Sequence, residues 1–123
     1  MTKPTLRDLS TAELVQLFAM AATKQEDAIL ENDIAESIRL VWRMKAIQDE
    51  LKQRPGDERS ELMQLYHHPN MQARLHAAQA TLAVAPQAAR AQLEAIKASE
   101  WMPAAGDAGM SLRNLDSGVY KPK

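Results

Sequence analysis

Chemistry could begin at the three histidines, His67, His68 and His76. A metal needs ligands that converge on one point. Adjacent His67 and His68 point to different sides of a helix end, and His76 falls on a separate expected element. No carboxylate stands at HExxH-like spacing. These imidazoles read as surface or helix-end groups, where they suit the partial negative charge of a helix C-terminus. Cysteine is absent, which removes disulfides, thiolate metal sites and thiol nucleophiles. Ser10, Ser37, Ser60, Ser99, Ser111 and Ser117 include no GxSxG elbow. Gly106-Asp107-Ala108-Gly109 invites a phosphate-loop reading, but no Lys-Ser/Thr follows and no strand precedes it. An aspartate there would repel phosphate, so Gly106 reads as a turn and Asp107 as a helix cap. No catalytic, metal-binding or cofactor-binding residue is expected, and the chain reads as a non-enzyme.

Charge placement is more informative. Glu26, Asp27, Glu31, Asp33 and Glu36 crowd one short stretch, opposed from 24 to 36 only by Lys24. Asp33 and Glu36 suit the positive start of a helix. Glu26, Asp27 and Glu31 fall near a helix end, where exposed acids cost about 0.3–1 kcal/mol each. A local choice against stability can mark function. These five residues are therefore the expected partner-binding patch for a basic protein. Further on, Arg39, Arg43, Lys45, Lys52 and Arg54 outnumber Asp49 and Glu50.

The elements that must position these residues are helices. Glycine is scarce before residue 100, aromatics are 4%, and helix formers dominate. Ser10 and Glu13 have capping-box spacing, which starts a first helix over about 11–30. Its apolar face is Leu14, Leu17, Phe18, Ala21, Ala28 and Ile29. Asp33 and Glu36 repeat the spacing, and a second helix follows to about Gln53. Its expected core stripe is Ile34, Ile38, Val41, Met44, Ile47 and Leu51, with Trp42 at the edge. Pro55-Gly56-Asp57 is a turn. A third helix fits about 58–67, a fourth about 71–84 capped by Asn70, and a fifth runs from Pro86 to about Ser99. Asp107 is placed to cap a sixth, ended by Gly118. Short connections favour antiparallel neighbours.

The stretch LMQLYHHPNMQARLHAAQATLAVAPQAARAQL, Leu62 to Leu93, resembles a HEAT-type repeat. Leu62 and Leu65 mark its first helix, Pro69-Asn70 the turn, and Arg74, Ala77, Ala78 and Leu82 the second. Ala73 stands where valine is usual and His68 where an acid is common. Over most of its length, including the tail WMPAAGDAGMSLRNLDSGVYKP, the chain resembles a small bacterial domain-of-unknown-function family with HEAT-like helices. The resemblance implies an all-α fold: antiparallel pairs as a short HEAT-like solenoid or compact bundle, about five helices plus a C-terminal cap. It implies no activity. Some similar small helical proteins sit beside secreted toxins as suspected immunity proteins.

That tail, 101–123, is apolar at intervals, unlike a disordered segment. Helix stacks leave an apolar end to cover, so 101–115 reads as a cap, Val119-Tyr120 as docked, and only the final Lys-Pro-Lys as frayed. At 123 residues a single domain is expected. MTKPTLRDLS lacks the apolar region of a secretory signal, and no apolar run can span a bilayer. A cytoplasmic protein with no membrane partner is expected. The net charge of -1 argues against general nucleic-acid binding. The leading expectation is a protein-binding helical stack, in its sharpest form an immunity protein against a basic toxin domain. The alternatives are a nucleic-acid-binding or regulatory adaptor repeat, using the basic set 39–54, and a small ligand-binding protein or enzyme with a pocket under the cap.

Overall fold

The computed structural model describes residues 5–123. Met1–Pro4, part of the stretch assessed for a leader, lie outside the described residues. The described chain is helical, with no strand: a 3-10 turn Leu6–Asp8, α1 (Thr11–Leu30), α2 (Ile34–Gln53), a 3-10 helix Glu58–His67, α3 (Met71–Ala80), α4 (Pro86–Ser99) and α5 (Ala104–Asp116).

The start of α1 follows from its capping box. The Glu13 amide donates to Ser10 Oγ and the Ser10 amide to Glu13 Oε1, both at 3.1 Å. Its end is equally defined. Asn32 adopts a left-handed φ of 58°, the Asp33 amide donates to Ala28 O, and the Asn32 amide to Ile29 O. This paired bonding is a Schellman end. Asp33 then caps α2 by accepting from the Glu36 amide at 3.1 Å. The expected reciprocal box is incomplete, because the Glu36 carboxylate turns to Arg39 instead.

The expected third helix is a 3-10 helix. Its buried residues are Arg59, Leu62 and Leu65, three apart, which is the period of that geometry. Asn70 caps α3 as expected, accepting from the Ala73 amide. This helix stops at Ala80 rather than near Val84. Thr81 Oγ1 turns back to Ala77 O at 2.8 Å, and the Val84 and Ala85 amides both return to Thr81 O. Ala85, preceding Pro86, is held out of the helical region at φ -145°. Pro86 then opens α4. The last helix begins at Ala104 behind Pro103, not behind Asp107, which lies inside its first turn.

Two apolar clusters form the interior. One gathers Leu14, Phe18, Met44, Ile47, Leu51, Leu62 and Ala77. The other gathers Leu75, Ala78, Leu93, Ile96, Ala108 and Leu112. α3 belongs to both, presenting Ala73, Ala77 and Ala80 to one side and Leu75 and Ala78 to the other. Its alanines permit close approach on both faces. α5 packs on α4, burying Ala104, Ala105, Ala108 and Leu112, and the Arg90 guanidinium meets Asp116 at 2.9 and 3.2 Å. Trp101, Met102 and Val119 do not dock but stay exposed. Tyr120 is half-exposed, with its amide donating to Asn114 O.

Candidate interaction surface

Three of the five acidic residues of the 26–36 stretch already have partners. Asp33 is occupied by capping α2. Glu36 is paired with Arg39, whose hydrogen bond holds its carboxyl below the usual carboxylate range. Glu26 faces away from the turn, towards the start of α3, and its Oε1 accepts from Asn70 Nδ2 at 3.4 Å. Its Oε2 is buried without a partner among the described residues. The positive N-terminus of α3 therefore accounts for Glu26. Asp27 and Glu31 remain, both exposed and with no ion pair among the described residues.

Beside these two acids lies a surface expected to be core. On α2, Ile34 is 72% exposed, Ile38 52%, Val41 40% and Trp42 68%. Leu30, at the end of α1, continues the exposed run. The helix buries Leu40, Met44, Ile47 and Leu51 instead. At about 100° per residue, the two sets lie roughly a third of a turn apart. α1 and the 3-10 helix can cover only one of them. The expected stripe joined three residues of each set, Ile34, Ile38 and Val41 with Met44, Ile47 and Leu51, and Leu40, which it left out, was the available signal that the apolar arc is too wide for one contact. A shallow hollow of about 210 Å³, lined by Ala28, Ile29, Asp33, Ile34 and Ile38, links the apolar run to the acidic turn.

The basic set of α2 is mostly engaged. Arg39 pairs with Glu36 and Lys45 with Asp49. Arg54 is turned inward: Nε donates to Glu50 at 2.8 Å, Nη1 to Thr11 Oγ1, and Nη2 to the carbonyls of Leu6 and Leu9. Arg43 and Lys52 have no ion pair among the described residues. Under the last helix, a hollow of about 220 Å³ is lined by Gln79, Leu82, Ser111, Asn114 and Tyr120, below the size of usual small-molecule sites.

The histidines separate as well. His67 is exposed. His68 Nδ1 accepts from the Asn70 amide at 3.0 Å. His76 Nε2 lies 2.7 Å from Gln25 Oε1, which also accepts from Gln72 Nε2 at 2.8 Å. Burial pushes the His76 imidazole down to about 4. Among the described residues no three His, Cys, Asp or Glu side chains are grouped to hold a metal.

A family described as a domain of unknown function, DUF2019, matches residues 12–116. The chain belongs to this family. The DUF2019 match runs from the first turn of α1 to the last residue of α5, so it contains both apolar clusters and the exposed face of α2. A solved relative has the same architecture: the crystal structure of the protein RPA1889 from Rhodopseudomonas palustris CGA009 is 54% identical, with a TM-score of 0.94 over 98% of this chain and 100% of that one. Among curated proteins nothing matches. Within the described residues no helix is long and apolar enough to cross a membrane.

Proposed function

We propose that this DUF2019 protein is a non-enzymatic, cytoplasmic interaction module that docks a basic protein domain on the outward face of α2. The observation that carries this is the run Leu30, Ile34, Ile38, Val41 and Trp42, exposed on one side and continuous with Asp27 and Glu31, which have no ion pair among the described residues. Scattered surface apolar residues are ordinary, whereas a contiguous patch signals an interface. Tryptophan in such a patch is a frequent binding anchor. The acidic end supplies steering towards a basic partner. In its sharper form the module is an immunity protein and the partner a toxin domain. The helix pairs then act as a short HEAT-like stack, a reading supported by the alanines on both faces of α3. Nucleic-acid binding ranks lower because Arg39, Lys45 and Arg54 already have carboxylate partners.

The test is affinity capture of the full chain and of an Ile38→Glu, Trp42→Glu variant from cells expressing the neighbouring genes. A stoichiometric basic partner is expected with the first and not with the second. Asp27→Lys with Glu31→Lys should slow association and flatten its salt dependence. No stoichiometric partner, or capture indifferent to Trp42, overturns the proposal. A dimer in light scattering that the α2 variant dissolves would replace the foreign partner with a second copy.

A further inference from the structure

A separate cavity of about 370 Å³ lies where the second half of α2, the 3-10 helix, the end of α3 and the tail meet. Lys45, Lys52, Arg59, Lys121 and Lys123 line it, against one lining acidic side chain, Asp49. The whole chain has 15 basic and 16 acidic residues, so this excess is local. Asp49 is engaged by Lys45 at 3.0 Å. Counting Asp57, which holds Arg59 from outside the cavity, and the main-chain carboxylate of Lys123 beside Arg59, five cations stand against three anions. Their mutual repulsion is relieved by an anion among them.

Arg59 distinguishes this cavity from a solvated cluster of lysines. Its side chain is only 6% exposed. Asp57, in a left-handed backbone conformation at φ 51°, fixes one edge of the guanidinium through Nε at 2.8 Å and Nη2 at 2.6 Å. A main-chain carboxylate oxygen of Lys123 accepts from Nη2 at 3.5 Å. Nη1 makes no hydrogen bond among the described residues, so the fork is oriented with a donor to spare. A guanidinium fixed along one edge beside several ammonium groups suits a multiply charged, multi-oxygen anion. Tyr120 lines the same space, and its amide bond to Asn114 O holds the tail in place. An aromatic wall suits a ligand with a flat ring beyond its anionic end.

We propose that this cavity binds a small phosphorylated molecule, with the phosphate among Arg59, Lys52 and Lys121 and the remainder towards Tyr120. Its volume falls in the range of small-ligand sites and exceeds what a lone phosphate fills. The site lies further along the same side of α2 than the exposed apolar run and shares no residue with it.

The experiment is calorimetric titration of the full chain with inorganic phosphate, AMP and a phosphate-free control, adenosine. Saturable one-site binding is expected, tighter for AMP than for phosphate and absent for adenosine. Lys52→Gln with Lys121→Gln should weaken AMP by about tenfold or more, while Arg43→Gln leaves it unchanged. Thermal melts of each variant confirm folding, and Arg59→Lys tests the fork without removing its charge. No saturation at millimolar AMP overturns the proposal. So does equal weakening by Arg43→Gln, or binding to single-stranded oligonucleotides that tightens with length and leaves AMP inert. Phosphate binding as tightly as AMP would overturn the role of Tyr120 and of a larger ligand.

Discussion

At the scale of single residues, the buried polar groups between α1 and α3 are the most consequential. Gln25 Oε1 accepts from both Gln72 and His76, which requires the His76 proton on Nε2. Gln72 Oε1 and Glu26 Oε2 are buried without partners among the described residues, and such groups commonly hold an internal water. Protonating His76 would add a charge where burial opposes it. Its folded value of about 4 lies below the ordinary imidazole value. The unfolded chain therefore binds the extra proton first as pH falls. Stability is full above about pH 6.5 and declines towards pH 4, by at most about 3 kcal/mol. Urea unfolding at pH 7.5 and 4.5 should show this loss, and His76→Gln should flatten it. An equal decline in the variant would assign the pH dependence to other groups.

Among elements, α2 shows what pattern can and cannot tell. Its boundaries were readable because Asp33 caps it and a proline follows Arg54. The α1 boundaries were readable from Ser10, Glu13 and the Asn32-Asp33 break. Which face turns inward was not, because two apolar arcs compete and only packing chooses between them. The acidic stretch was misleading for the same reason. Its Glu26 answers to the start of α3, 44 residues away in sequence, and no local spacing reports that. Likewise the basic cavity draws on residues from 45 to 123, too far apart for any motif. The choice of face gives a contrast to measure. Trp42→Gln should change unfolding free energy by less than about 0.5 kcal/mol. Ile47→Ala, on the fully buried side, should cost about 2–5 kcal/mol. A large loss at Trp42 would mean that the outward face is covered in solution. Arg54 gives a second contrast: Arg54→Ala removes the ion pair of nearly buried Glu50, leaving it the Gln53 amide, and frees the carbonyls of Leu6 and Leu9. It should lower the melting temperature well beyond the effect of Arg43→Ala. Equal effects would show that the inward network contributes no stability.

For the whole molecule, α3 decides whether the protein behaves as one cooperative unit. The α1–α2 layer and the α4–α5 layer do not share a core directly; each packs on an opposite side of this ten-residue helix. Tyr66 reinforces the junction, touching both clusters and sharing a hydrogen bond with Thr81 Oγ1. Gln79 Nε2 adds a bond to Ser111 Oγ on α5. Removing 101–123 would strip α5 and expose Leu93, Ile96 and Leu75, so the truncated chain should melt lower and bind a hydrophobic dye. The sharper test uses neighbouring alanines, Ala77 and Ala78, both fully buried but on opposite faces. Ala77→Leu overpacks against α1 and the 3-10 helix, and Ala78→Leu against α4 and α5. Each should cost about 1–3 kcal/mol. If α3 couples the layers, hydrogen exchange should speed up in α1, α2, α4 and α5 together for either variant. If exchange rises only in the layer that was overpacked, the layers open separately, and a partner bound to α2 would stabilise its own layer without reaching the cavity-closing tail through α3.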